Sequence, residues 1–269
     1  MSQLGFFDSG PNRLSFVCTL PDGRAIKAGL IFVHAADGNR LGPHRMFVEL
    51  ADRLKCCGIA SLRFDMRGSG DSSGEPAGNN INHDIEDLLS AIDFFASKNQ
   101  LPKVFLLGIS RGARVILSAL AEHSLPVDGA VLLSTPFPGS KAAAKKFSSR
   151  LKEYLYKFRN PKSLKKLLSG KANLKQIAKT LAFALSSQKR YRRNNDGFIT
   201  KSSLFFIYGS KDPIAADSAL LYSRICEKYK IPYRIAEIKN ANHSFFYYRW
   251  KEQIMEMTEK WLMANIADG

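Results

Sequence analysis

The sequence predicts an α/β protein: a mostly parallel, twisted sheet with helices on both faces and a helical insertion. Three observations lead there. From Ala28 to Ser134, short apolar β-prone runs alternate with helix-patterned segments, which implies right-handed crossovers onto a parallel sheet. His34, Asp65 and Ser110 stand at the carboxyl ends of those runs, where sites form in such sheets. The alternation stops at Pro136-Phe137-Pro138-Gly139, gives way to a strongly basic stretch, and resumes at Ser203.

The elements follow in order. Leu14 to Leu20 and Gly23 to Ile26 read as an N-terminal hairpin turned by Pro21-Asp22-Gly23. Ala28 to His34 is a buried strand, followed by the loop His34-Ala35-Ala36-Asp37-Gly38-Asn39. Between Arg45 and Cys57, Met46, Phe47, Leu50 and Leu54 recur at helical spacing, and Gly58 supplies the C-terminal cap. Ile59 to Phe64 is the next strand. It ends in Asp65 and a glycine-rich loop through Gly74. Ile81 to Ser97 places Ile85, Leu88, Leu89, Ile92 and Phe95 on one side of a helix. The run Lys103 to Leu107 enters Gly108-Ile109-Ser110-Arg111-Gly112, and a helix-compatible segment from Ala113 to Glu122 leaves it. Val127 to Ser134 is a further strand. Beyond the interruption come a strand at Ser203 to Tyr208, a helix at Ala216 to Tyr229, a strand at Tyr233 to Ile238 and a last helix near Tyr247 to Ala264.

Composition narrows the class. A chain of 269 residues with ordinary hydrophobic content can bury a sizeable core. No run approaches the ~18 apolar residues needed to span a bilayer, and the start lacks the pattern of a signal peptide. Cys18, Cys56, Cys57 and Cys226 have neither zinc-ligand spacing nor the density of a disulfide framework, so reduced thiols and a cytoplasmic location are expected. The net charge of +16 lies in one place. Lys141 to Lys201 holds 18 Lys and Arg against Glu153 and Asp196, while the other 22 basic and 22 acidic residues cancel. The expected organisation is a core from residues 1–136, a basic helical insertion over 137–201, and a second core segment over 202–269.

The chemistry centres on Ser110. Gly-x-Ser-x-Gly between a strand and a helix puts the serine at the apex of a tight turn, and small residues on either side let strand and helix pass closely. The new helix points its N-terminal N–H groups toward the serine, so the N–H of Arg111 can donate to an oxyanion. A serine hydroxyl needs a base, and the base needs a carboxylate to hold its tautomer. Of five histidines, His83 and His123 lie on or beside helices, His44 begins one, and His34 ends a strand as a framework residue of its loop. His243 lies in a loop just past the last strand, and Asp212 directly follows the strand before it. The chain order Ser110, Asp212, His243 fits an elbow on a central strand with both partners on later strands.

These stretches, together with Leu62 to Ser72 and Tyr208 to Pro213, resemble the α/β-hydrolase family, in the branch of serine-aminopeptidase-like and cinnamoyl or feruloyl esterases. The resemblance runs from about Gly29 to the end of the chain, outside the basic insertion. It implies the α/β-hydrolase fold and hydrolysis of a carboxylic ester, with Ser110 as nucleophile, His243 as base and Asp212 as its partner. It further implies an oxyanion hole from the N–H groups of Arg111 and Ala36, and an insertion that caps the site. Thioester, amide or peptide hydrolysis and acyl transfer use the same parts, and a non-catalytic protein binding an anionic partner is the rival from another class. The family carries glycine after the loop histidine, where this chain has Ala35, and an uncharged residue where it has Arg111.

No cofactor or metal is expected. Asp65 and Asp71 read as acceptors for backbone N–H groups of their own loop, and Gly68-Ser69-Gly70 is too short for a dinucleotide fingerprint. The basic insertion, with Phe147, Leu151, Tyr154, Leu155 and Phe158 as an apolar stripe, fits a solvated face, an anionic ester substrate or peripheral contact with an anionic membrane. It carries no nucleic-acid-binding motif.

Overall fold

A computed structural model describes residues 2–76, 81–137, 200–215 and 217–267. Eight strands form one sheet in the order β1-β2-β4-β3-β5-β6-β7-β8. They are β1 Ser2–Ser9, β2 Asn12–Thr19, β3 Ala28–Val33, β4 Ile59–Phe64, β5 Val104–Ile109, β6 Gly129–Leu133, β7 Ser203–Gly209 and β8 Tyr233–Ile238. From β4 through β8 neighbouring strands are parallel; β1 and β2 pair antiparallel, and β2 runs antiparallel to β4. The helices are α1 Met46–Lys55, α2 Ile81–Asn99, α3 Arg111–Glu122, α4 Ser218–Tyr229 and α5 Tyr248–Ala267. This is the α/β-hydrolase architecture.

Period-two alternation divides the core. Ile31, Val33, Leu106, Leu132 and Phe206 face one side, where α2, α3 and α4 bring Ile85, Leu88, Val115 and Tyr222. Leu30, Phe32, Phe105, Leu107 and Phe205 face the other, against Met46, Leu50, Ile254 and Trp261 of α1 and α5. Both faces of the central strands are covered, which explains why β3, β4, β5 and β6 read as unbroken apolar runs. Trp261 lies against Phe105 and Phe205, in space that Gly129 leaves open: a Cβ there would fall 2.6 Å from the indole.

The N-terminal hairpin is not the expected one. Its strands are β1 and β2, turned at Gly10-Pro11 with Gly10 at φ +55°, and Gly23 to Ile26 is not a strand. The reason lies in the pairing. After Leu14–Thr19, the next partner of β2 is β4, across Phe16–Phe64 and Cys18–Leu62, and this leaves no edge for a strand after Pro21.

Strand order reverses between β3 and β5: β4 lies on one side of β3 and β5 on the other. The crevice at their carboxyl ends is the place where such sheets bind ligands. His34 and Ser110 flank it. Phe137, the first residue of the expected insertion, is buried against Tyr222, with ring centroids 5.0 Å apart, and its N–H donates to Ser218 Oγ at 2.9 Å. The amphipathic basic helices expected over the insertion lie outside the described residues.

Candidate active site

Ser110 is the single residue between β5 and α3. Its backbone sits at φ +54°, ψ −109°, a conformation costing on the order of 1–3 kcal/mol for a residue with a side chain. The packing around it over-determines that strain. The Ser110 N–H donates to the Leu133 carbonyl at 2.9 Å, and its own carbonyl accepts the Arg114 N–H at 3.2 Å. A Cβ on Gly108 would lie 2.6 Å from the Ala113 nitrogen, and one on Gly112 would lie 2.2 Å from the Val33 carbonyl oxygen. Both flanking positions therefore need glycine for close approach.

Two later loops meet the elbow. Asp212 follows β7 and is nearly fully buried. One carboxylate oxygen accepts the N–H groups of Ile214 and Ala215, at 2.9 and 3.2 Å; the other faces His243 Nδ1 at 2.8 Å. His243 follows β8, and its Nε2 stands 2.9 Å from Ser110 Oγ. The Ala241 carbonyl accepts the Lys211 N–H at 2.9 Å, which ties the two loops together. Burial pulls the Asp212 carboxyl upward. The bond to His243, that ring's charge and the Ile214 N–H outweigh it and leave Asp212 below the usual carboxylate range. An ionised Asp212 accepts from Nδ1–H. The pattern therefore assigns the unprotonated nitrogen to Nε2, which can receive the Ser110 proton. The three residues singled out in the sequence thus form one hydrogen-bonded line.

The loop after β3 closes the other side. His34 is buried and its Nδ1 stands 2.7 Å from the Ala35 carbonyl, so Nδ1 carries the proton and Nε2 accepts the Met66 N–H at 3.0 Å. Burial holds this ring below the usual histidine range, hence neutral. The ring pins the β3 loop to the β4 loop. Ala36 and Arg111, the two expected oxyanion donors, line one cavity of about 150 Å³ together with Asp37, Met66, Ser69 and Asp84. Ala35 has no positive φ, so a side chain at this position carries no left-handed strain.

Arg111 is held by a residue that the sequence did not single out. Its Nε donates to Asp84 Oδ2 at 2.5 Å. Burial raises the Asp84 carboxyl and the Arg111 charge opposes that shift. Asp87, one turn along α2, takes the Arg67 guanidinium and its backbone N–H. Two carboxylates at i and i+3 on the buried side of an amphipathic helix were the available signal, because acids seldom face a core unpaired. Asp65 accepts the N–H groups of Arg40 and Asp71 and pairs with the Arg40 guanidinium, which also reaches Asp71 at 2.5 Å. His83 bonds Arg67, while His123 caps α3 and His44 lies in the turn before α1. Among the described residues no His, Cys, Asp and Glu group is arranged to hold a metal.

Residues 40–248 match the family described as "Serine aminopeptidase, S33". The lysophosphatidylserine lipase ABHD12 of Mus musculus is 30% identical over 139 residues, covering 51% of this chain and 33% of that protein. Esterase EstD of Thermotoga maritima is 28% identical over 130 residues, 46% of this chain and 31% of that protein. The chain thus spans about a third of the length of these curated relatives. Among solved structures, Est1E from Butyrivibrio proteoclasticus with ferulic acid bound superposes with a TM-score of 0.70 at 16% identity, over 98% of this chain and 99% of that one. A thermostable carboxyl esterase from Bacillus coagulans gives 0.72 at 14% identity, with coverage of 98% and 99%. Likeness at such identities concerns the fold.

Proposed function

The chain belongs to the serine aminopeptidase S33 family of α/β hydrolases, and on that premise we propose that it is a serine hydrolase of carboxylic esters working through Ser110, His243 and Asp212. The observation that carries this reading is the line Asp212–His243–Ser110, at 2.8 and 2.9 Å, ending on a strained serine at the head of a helix. His243 Nε2 takes the Ser110 proton as Oγ attacks the ester carbonyl. Asp212 holds the Nδ1–H tautomer and stabilises the imidazolium. The N–H groups of Arg111 and Ala36 receive the oxyanion. As the tetrahedral intermediate collapses, His243 gives its proton to the departing alcohol. Water, deprotonated by the same ring, then attacks the acyl-enzyme and releases the acid. Asp84 holds and balances the Arg111 guanidinium, while the backbone N–H of Arg111 serves the oxyanion.

Ester cleavage is favoured over peptide cleavage because the curated relatives are named as a lipase and an esterase. On the same reading residues 137–201 form a basic insertion between two core segments, and its charge favours esters that carry an anionic group. The test is direct. Ser110→Ala should abolish ester turnover and labelling by a fluorophosphonate, on the order of a 10⁶-fold loss by analogy with a dissected serine protease. Retention of more than a few per cent of turnover, or unchanged labelling, would overturn the assignment.

A further inference from the structure

The segment that follows His243 turns large rings outward. Phe246, Tyr247 and Tyr248 are 59%, 60% and 66% exposed, and among the described residues Phe6 alone of the other Phe, Tyr and Trp side chains is also exposed. The backbone builds this ledge at a cost. Phe245 is buried, yet it holds φ +50°, an outlier for a bulky residue, and this turns its three successors to the surface. Across from it, His44 and Arg45 are consecutive residues at φ +49° and +60°. They set the His44 ring edge-on to Phe246, with centroids 4.9 Å apart. Tyr247 packs edge-on against both Phe246, at 5.6 Å, and Trp250, at 4.6 Å. The rings are thus fixed against one another in the free protein.

We propose that this ledge docks the protein on the headgroup layer of an anionic lipid surface, with the mouth of the Ser110 site turned toward it. The inference rests on the ester-hydrolase reading above. Phenol and indole rings have an apolar body and a polar tip, and suit a membrane–water boundary better than a dry core. Arg45 and Arg249, both exposed, are chain neighbours of His44 and Tyr248, and exposed Lys211 bonds through its N–H to Ala241, on the loop that leads to Phe246. Of the neighbouring carboxylates, Glu49 pairs with Lys251 at 2.6 Å, and Glu252 shares Arg53 with Glu259, at 3.4 and 2.6 Å. Against these three carboxylates stand Arg45, Arg53, Lys211, Arg249 and Lys251, so the balance around the ledge is positive and complements anionic lipid. Phe246 lies three residues past His243, within about 11 Å along the chain. A folded protein seated there would obstruct the mouth, whereas a lipid surface would present esters to it. Among the described residues no helix is long and apolar enough to cross a bilayer, so contact through these residues is peripheral.

The two tryptophans allow a specific test. Trp250 adjoins the ledge and is half-buried, whereas Trp261 is buried beneath the sheet. Vesicles of phosphatidylcholine and phosphatidylserine in equal parts should sediment the protein, and pure phosphatidylcholine should do so far less. Brominated lipid should quench Trp250, and Trp250→Phe should remove that quenching. The combined Phe246→Ser, Tyr247→Ser and Tyr248→Ser variant changes exposed positions only and should partition at least about tenfold more weakly. Partitioning of this variant like the wild type, absence of quenching, or self-association through the ledge in place of vesicle binding would each overturn the proposal. Ser110→Ala protein separates the two readings. It should bind vesicles fully while hydrolysing nothing. An active Ser110→Ala protein that still docks would overturn the hydrolase assignment and leave the surface standing.

Discussion

Replacing Gly112 by alanine probes the elbow without touching any reacting group. The added Cβ would lie 2.2 Å from the Val33 carbonyl oxygen and 2.6 Å from that of His34. Ordinary contact begins near 3.4 Å, so the shortfall exceeds 1 Å. The obstacles are backbone atoms at the end of β3, held between β4 and β5, and they cannot swing aside as a flexible side chain would. Either α3 lifts off the sheet or the β3 loop moves. Forced overpacking of this size costs about 3 kcal/mol, which for a domain of this size lowers Tm by about 6–12 °C. The moving parts are those that hold Arg111 and Ala36, so a displacement of about 1 Å should also cost on the order of 10²-fold in kcat. Thermal and urea unfolding, together with turnover of a short soluble ester well below Tm, measure both effects. Gly10→Ala is the comparator. No atom lies within 4 Å of its Cβ, and its penalty is the left-handed backbone alone, about 1 kcal/mol. A Gly112→Ala protein melting within about 2 °C of wild type, or no lower than Gly10→Ala, would refute the close-approach argument.

Three further outcomes are expected. His34 is held neutral by burial, so the unfolded chain binds a proton below about pH 6.5 that the folded one refuses. Stability is thus complete above that pH and falls as pH drops, by up to about 1.4 kcal/mol per unit. His34→Asn should flatten this slope in urea titrations, and equal slopes would contradict it. Asp212, depressed below the usual carboxylate range, stays ionised through neutral pH. Asp212→Asn should lower kcat by about 10⁴-fold, and a variant within tenfold of wild type would remove Asp212 from the mechanism. The ratio of kcat/KM for an ester with a remote sulfate to that for a neutral ester of equal size should fall as salt rises, because the Debye length shrinks from ~8 Å to ~3 Å between physiological and molar ionic strength. A ratio near one at every salt concentration would assign the basic stretch to solvation.

Legibility in the sequence followed locality. The elbow could be read because its determinants are neighbours: an apolar run, two glycines that must be small, and a helix that starts within one residue of the serine. His243 and Asp212 could be read because strand ends are marked by where apolar runs stop. The first hairpin could not. Pro21-Asp22-Gly23 and Gly10-Pro11 are both plausible turns, and the choice is made by β4, whose pairing with β2 is remote in the chain. Nor could Asp84 be assigned to Arg111, or Asp87 to Arg67, because an ion pair between a helix and a distant loop has no local pattern. Ala35, where the family pattern has glycine, illustrates the converse. Glycine there would suit a left-handed backbone, but the position has no positive φ, and whether a loop residue takes one is set by the fold and not by its neighbours in the chain.

The separation of Ser110 from His243, 133 residues along the chain, bears on how the molecule acquires activity. Ser110 directly follows β5 in the middle of the sheet, whereas Asp212 and His243 follow β7 and β8 at its far side. Closing the long connection between β6 and β7 precedes any contact between base and nucleophile, and such non-local pairings form slowly. Helix signals should therefore recover early in refolding and turnover late. Turnover thereby becomes a clock for the docking of β8, and the strain at Ser110 arises only once β3, β5, β6 and α3 have packed around it.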